Sequence, residues 1–152
     1  MAQSDNIYVT LPAKAKHIEV VRLALYGVAV RMGFSFEDIE DLKVAVGEAC
    51  NNAVLHAYDE GYEEGIMSVV FEAAPEFLRI TVSDEGKSFI PPLAELGTAS
   101  PFQDKPLSQM KAGGLGLYLM QALVDHVEIR NDGGTKVILT KRLEPSGSGV
   151  VL

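Results

Sequence analysis

Ser35 to Tyr58 reads SFEDIEDLKVAVGEACNNAVLHAY. At about 100° per residue, Ile39, Leu42, Val46, Ala49, Ala53 and Ala57 fall on one stripe, the mark of a helix that packs on a sheet. Ser35 followed by Asp38 has the form of a capping box, which starts the helix there. Glu48, Asn52 and His56 lie off the stripe, spaced by four and so aligned along another face. Val44 and Leu55 flank that row with apolar side chains rather than lysines and glutamates. A carboxylate and an amide in partly apolar surroundings imply something polar to receive them. Taken alone, the row is better explained as an ordinary solvated helix face.

On the N-terminal side, Ile7, Val9 and Leu11 alternate with Tyr8 and Thr10 as in a half-buried strand, and Pro12 ends the run. From Ala13 to Met32, Ile18, Val21, Leu25 and Val28 recur at helical spacing, with Gly33 as the C-terminal cap. On the C-terminal side, Ile66 to Ala73 and Leu78 to Ser83 read as strands joined in a hairpin by Ala74-Pro75-Glu76. Glu85 to Ala112 has little periodicity and contains Pro91, Pro92, Pro101 and Pro106. A connection that long reads as a functional lid rather than a disordered linker. Leu115 to Val124 reads as a third helix. Val127 to Arg130 and Lys136 to Thr140 close the chain as a strand pair around Asn131-Asp132-Gly133-Gly134.

Two further motifs carry chemistry. In Val82-Ser83-Asp84-Glu85-Gly86 an aspartate leaves the end of an apolar strand just as Gly86 permits a sharp turn. Such a carboxylate accepts from the exocyclic amine of adenine, a contact that the carbonyl of guanine cannot make. A plain D-x-G turn is the other reading of this motif. In Lys111-Ala112-Gly113-Gly114-Leu115-Gly116-Leu117 a glycine-rich turn runs into an apolar helix, exposing N–H groups that suit nucleotide phosphates. A structural loop would also account for it. The order of the glycines matches neither the P-loop nor the Rossmann fingerprint.

With 152 residues and 47% hydrophobic content the chain supports one core, so one domain over 1–143 is expected, with 144–152 as a flexible tail. Thirteen basic against 21 acidic residues give a net charge of -8, which repels nucleic-acid phosphates and anionic lipid. Direct nucleic-acid or membrane binding is therefore not expected. No apolar run has the length of a membrane span, and MAQSDNIYVTLPAK lacks the layout of a signal peptide, so a cytoplasmic protein is expected. The single cysteine, Cys50, has no partner for an internal disulfide and reads as a small apolar filler.

In the order E-x-x-x-N, D-x-G, long connection, G-G-L-G-L, the motifs resemble the nucleotide boxes of the ATPase superfamily of gyrase, MutL and histidine kinases. More closely, DLKVAVGEACNNAVLHAY, VSDEGKSF and GGLGLYLMQALVD are similar to the bacterial anti-sigma serine kinases of the RsbW and SpoIIAB family. The likeness runs from the first strand to about Leu143.

The resemblance implies a two-layer α/β sandwich, its mixed, mostly antiparallel sheet covered by helices on one face, usually assembled as a homodimer. It implies ATP and Mg²⁺ as cofactors. Glu48 would be the general base toward a serine hydroxyl and Asn52 a Mg²⁺ ligand, a division that fits a carboxylate able to take a proton and an amide oxygen able to bind a hard cation. Asp84 would read the adenine amine, Gly86 would let the base approach and Thr135 would support the adenine site. The Gly113, Gly114, Leu115, Gly116, Leu117 segment would cradle phosphate, and Arg22 would meet protein partners. His56 is expected to pack. The implied activities are sequestration of a stress-response-type sigma factor and phosphorylation of a small anti-anti-sigma protein. A nucleotide-dependent binding protein without phosphoryl transfer is the alternative, and the presence of Glu48 argues against it.

Overall fold

The computed structural model describes residues 4–59, 65–84, 112–131 and 135–144. Five strands, β1 (Asp5–Pro12), β2 (Ile66–Ala73), β3 (Phe77–Asp84), β4 (His126–Asn131) and β5 (Thr135–Arg142), form one sheet in the order β1-β2-β3-β5-β4. Helices α1 (Ile18–Met32), α2 (Phe36–Asp59) and α3 (Ala112–Leu123) complete the described elements, with a short 3-10 turn, Ala15–His17, ahead of α1. The sheet, implied to be mixed and mostly antiparallel, is antiparallel at all four pairings described. The reason is connectivity: β2–β3 and β4–β5 are hairpin neighbours, and the two helices between β1 and β2 return the chain in the opposite sense.

Alternation along each strand sorts the side chains into two faces. Across the covered face the register lines up Ile7, Phe71, Ile80, Leu139 and Val127 in one row, and Val9, Val69, Val82, Val137 and Ile129 in the next. Phe71, Ile80, Leu139 and Val69 are fully buried. The opposite face carries the more polar side chains, including the ion pair Arg79 Nη1 to Glu72 Oε1 at 3.1 Å.

Against the covered face lies α2, which buries Ile39, Leu42, Val46, Ala49 and Ala53, the stripe read from sequence; Ala57 lies outside the described side chains. Ala45 and Cys50 are buried too, because α2 is flanked by α1 on one side and α3 on the other. Its N-terminus is capped as the sequence predicts, the Asp38 N–H donating to Ser35 Oγ at 3.1 Å. Lys141 ties the far end of the layers together, donating through Nζ to the Leu123 carbonyl at 3.0 Å and approaching Asp38 Oδ1 at 3.7 Å. Among the described residues no helix is long and apolar enough to cross a membrane.

Strand limits match the sequence reading to within two residues at each end. The helix starts differ more: α1 begins at Ile18 rather than Ala13, with the 3-10 turn Ala15–His17 ahead of it, and α3 begins at Ala112 rather than Leu115, so Gly113 and Gly114 belong to its first turn. Glycine is a poor helix former, which moves the expected boundary C-terminal; packing of α3 on α2 outweighs that local preference. The connection assigned to a lid, the Asn131-Asp132-Gly133-Gly134 turn at 132–134 and the tail from 145 lie outside the described residues.

Helix α1 ends on Gly33 at φ +96°, whose N–H donates to the Ala29 and Val30 carbonyls while the Phe34 N–H reaches back to Ala29 at 3.1 Å. A Cβ in that left-handed conformation is disfavoured by roughly 1–2 kcal/mol. Gly33→Ala is therefore expected to destabilise the protein by about 1 kcal/mol, read as a lower urea midpoint at unchanged slope.

Candidate active site

The third row of the covered face departs from the first two. It begins with Leu11 and Met67 and continues into Asp84 and Thr135, opposite each other in the register at the end of β3 and the start of β5. Directly opposed residues bring their Cβ atoms to about 4.5–5.5 Å. Asp84 and Thr135, 8% and 6% exposed, are the buried polar or charged side chains among the described residues, in a core otherwise apolar. Two residues 51 positions apart in sequence thus form one polar spot at the edge of the hydrophobic layer.

The helices deliver the other residues to the same end. Only residues 60–65 separate the last residue of α2 from Ile66, whose neighbour Met67 pairs with Asp84. The C-terminal half of α2, carrying Glu48 and Asn52, therefore runs toward the polar row. Helix α3 ends beside Lys141 at the opposite edge and runs antiparallel to α2, so its glycine-rich start also faces the polar row. Glu48, Asn52, Asp84, Thr135 and the first turn of α3 converge on one end of the sandwich.

Contact between the helices is close. A Cβ placed on Gly116 would lie 2.8 Å from Glu48 Oε1, 3.6 Å from its Cβ and 3.7 Å from its Cδ. The Glu48 carboxylate is thus laid against the backbone of α3, although Glu48 and Gly116 are 68 residues apart in sequence. Asn52 is half-buried one turn further along the same row. Leu117 is 1% exposed and its side chain belongs to the core, whereas Leu115 is 39% exposed. Gly86 and the side chain of His56 lie outside the described residues.

A second close approach was not legible in the sequence. The guanidinium of Arg22 occupies the space that a Cβ on Gly47 would need, its Cζ 3.1 Å from that position, and its Nη1 donates to Glu19 Oε2 at 2.6 Å. A glycine in the middle of an amphipathic helix is the signal that could have flagged it, since such a residue weakens the helix unless space is required. Arg22 lies at the α1–α2 seam, one residue along α2 from Glu48, with its side chain 31% exposed.

This chain belongs to the histidine kinase-like ATPase family, whose domain model matches residues 11–141. Its curated relatives include serine-protein kinases RsbW. That of Bacillus licheniformis is 45% identical over 142 residues, covering 92% of this chain and 87% of the relative. That of Halalkalibacterium halodurans is 42% identical over 142 residues, covering 93% and 86%. The crystal structure of the RsbU and RsbW domains of a Mycobacterium tuberculosis protein matches with a TM-score of 0.65 at 26% identity over 93% of this chain, which spans 33% of that longer one.

Beside Arg22, burial pushes the Cys50 thiol from 9.0 up to about 12, with the Arg22 charge opposing part of the rise. The folded state holds the neutral thiol, so its stabilising contribution is complete below about pH 9 and is lost as the pH climbs toward about 12. At pH 8 native protein is expected to react with iodoacetamide at under about 1% of the rate of the urea-unfolded chain, followed by mass spectrometry.

Proposed function

We propose that this chain is an ATP-dependent serine-protein kinase that phosphorylates an anti-anti-sigma factor and acts as an anti-sigma factor by sequestering a stress-response-type sigma factor. The observation that carries this reading is the convergence of Glu48, Asn52, the glycine-rich start of α3 and the Asp84–Thr135 pair at one end of the sandwich, in a chain whose relatives are serine-protein kinases. In this reading residues 1–143 work as one ATP-binding domain in the cytoplasm and as a homodimer, with 144–152 as a tail.

The residues present fit a nucleotide. Asp84 offers an acceptor for an exocyclic amine and Thr135 a hydroxyl beside it, where the covered face turns polar at the end of β3. Gly86 would let the base approach. The first turn of α3 carries backbone N–H groups without intrahelical partners, and Gly113 and Gly114 keep side chains away from them, which suits phosphate oxygens. Leu115 and Leu117 complete that segment, Leu117 through its backbone alone. Among the described residues no group of three or more His, Cys, Asp and Glu could hold a metal. Mg²⁺ would be held jointly by Asn52, a neutral hard oxygen donor, and the phosphates of the nucleotide.

Bound ATP supplies the γ-phosphoryl group that a serine oxygen accepts, leaving ADP. Glu48 accepts the hydroxyl proton of that serine, which keeps the attacking oxygen nucleophilic as the new bond forms. The new phosphate adds a charge of about -1.5 to -2 to the partner at the contact surface, which separates it from the kinase. Arg22, partly exposed at the α1–α2 seam, meets the protein partners.

Two expected outcomes test the assignment. Wild-type protein binds ATP more tightly than GTP in calorimetry, and Asp84→Asn sharply weakens ATP binding. Equal affinity for the two nucleotides removes Asp84 as the adenine reader. Glu48→Gln keeps sigma-factor capture but lowers phosphoserine formation by roughly two to four orders of magnitude, the range for loss of a positioned base. Capture and phosphorylation are scored on the same preparations, by pull-down and mass spectrometry. Wild-type protein that captures the sigma factor with nucleotide yet never phosphorylates serine would be a binding protein instead.

A further inference from the structure

Gly116 has an ordinary helical backbone. Among the described residues only Gly33 adopts a positive φ, so conformational freedom does not explain a glycine in the second turn of α3. Glycine is also a poor helix former, and the neighbouring Leu117 is a core residue that gains nothing from a weakened helix. Space is what distinguishes the position. Real Cβ atoms essentially never approach another atom closer than 3.0 Å, and one at 116 would stand 2.8 Å from Glu48 Oε1. The missing side chain is filled by the carboxylate of Glu48.

We propose that Gly116 is a positioning residue for phosphoryl transfer: its bare backbone is the seat that fixes the Glu48 carboxylate where the incoming serine hydroxyl arrives. The proposal rests on the reading of Glu48 as the base. A glutamate has three side-chain torsions, and a free one spreads its carboxylate over a wide arc. Packing against α3 narrows that arc to a fixed place beside the glycine-rich turn. Hydrogen-bond reach to a hydroxyl spans about 2.6–3.2 Å, so a shift of a few tenths of an ångström changes the efficiency of proton transfer. A displacement near 1 Å costs on the order of 100-fold in rate. The atom that would collide is the far end of a flexible side chain, whereas the next nearest, Cβ and Cδ, stand at ordinary van der Waals distance. A methyl group at 116 is thus accommodated by swinging the carboxylate away, and the consequence falls on chemistry rather than on folding. This role differs from that of a glycine that admits phosphate, which would act through nucleotide affinity.

The test is a double-mutant cycle on the full chain with its anti-anti-sigma substrate protein, using Gly116→Ala, Glu48→Asp and Glu48→Gln. Single-turnover phosphoserine formation, the ATP dissociation constant and thermal melting are measured for each. Gly116→Ala is expected to slow phosphorylation by about 10- to 100-fold while ATP affinity stays within about threefold. In Glu48→Gln the same substitution adds less than about twofold, because no base remains to misplace. In Glu48→Asp, whose shorter side chain clears the new methyl, Gly116→Ala costs far less than it does beside glutamate. Early melting of Gly116→Ala that Glu48→Asp restores also supports the seat; early melting that persists beside aspartate overturns it. Equal losses beside Glu, Asp and Gln, accompanied by weakened ATP binding, give Gly116 to the nucleotide and overturn the proposal. So does a fully active Gly116→Ala when Glu48→Gln is inactive, a result that leaves the base assignment standing. A fully active Glu48→Gln removes both.

Discussion

Close approach of α2 and α3 is the constraint on which the site depends, because a carboxylate laid against a helix backbone needs both a helix face free of side chains and a partner helix held at fixed distance. Gly116 supplies the first and the core supplies the second: Leu117 and Met120 of α3 are buried on the same layer as Ala45, Ala49 and Cys50 of α2. Small residues dominate the buried positions of α2 from 45 to 53, so the helix can be enclosed by neighbours on two sides and by the sheet beneath. A bulkier core there would push α3 outward and with it the glycine-rich turn. Lys141 holds the other end, joining the last carbonyl of α3 to the first turn of α2.

Gly47 repeats the arrangement on the opposite flank. Arg22 lies across α2 in the space a side chain at 47 would fill, and Glu19 holds its other nitrogen. The buried helix therefore sends an acidic group toward α3 from position 48 and receives a basic group from α1 at position 47, each admitted by a glycine. Arg22 stays partly exposed, so its contacts with Glu19 and α2 are ones that solvent and salt weaken. The neighbouring Cys50 thiol is shielded by burial and stays protonated across the physiological range.

Much of the fold was legible because its elements obey two periods. Alternation located β1, runs bounded by turn residues located the other four strands, and the stripe from Ile39 to Ala53 located the buried face of α2. Gly33 announced the end of α1, where a left-handed backbone has no other economical residue. The start of α3 was misjudged because local propensity reads Gly113 and Gly114 as turn, and only the packing of α3 against α2 makes them helical. Of the site, the row of Glu48 and Asn52 was visible as a row, but its neighbour was not: nothing local to position 48 points to position 116. The pairing of Asp84 with Thr135 was equally hidden, since it follows from strand register, a property of the assembled sheet.

The polar row at the end of the sheet also bears on how the chain finds its native alignment. Sliding β5 along β3 by two residues keeps every side chain on its own face, so hydrophobic patterning alone penalises such an error little. Here the slip in one direction would set Val137 against Asp84 and bring Lys141 opposite Ile80, driving an ammonium group into the middle of the apolar layer. Asp84 would meanwhile lose the hydroxyl-bearing neighbour it has in the native alignment. Residues proposed for nucleotide recognition thus double as alignment marks: a slipped β5 loses the Asp84–Thr135 pair of the site and at the same time buries Lys141 in the apolar layer.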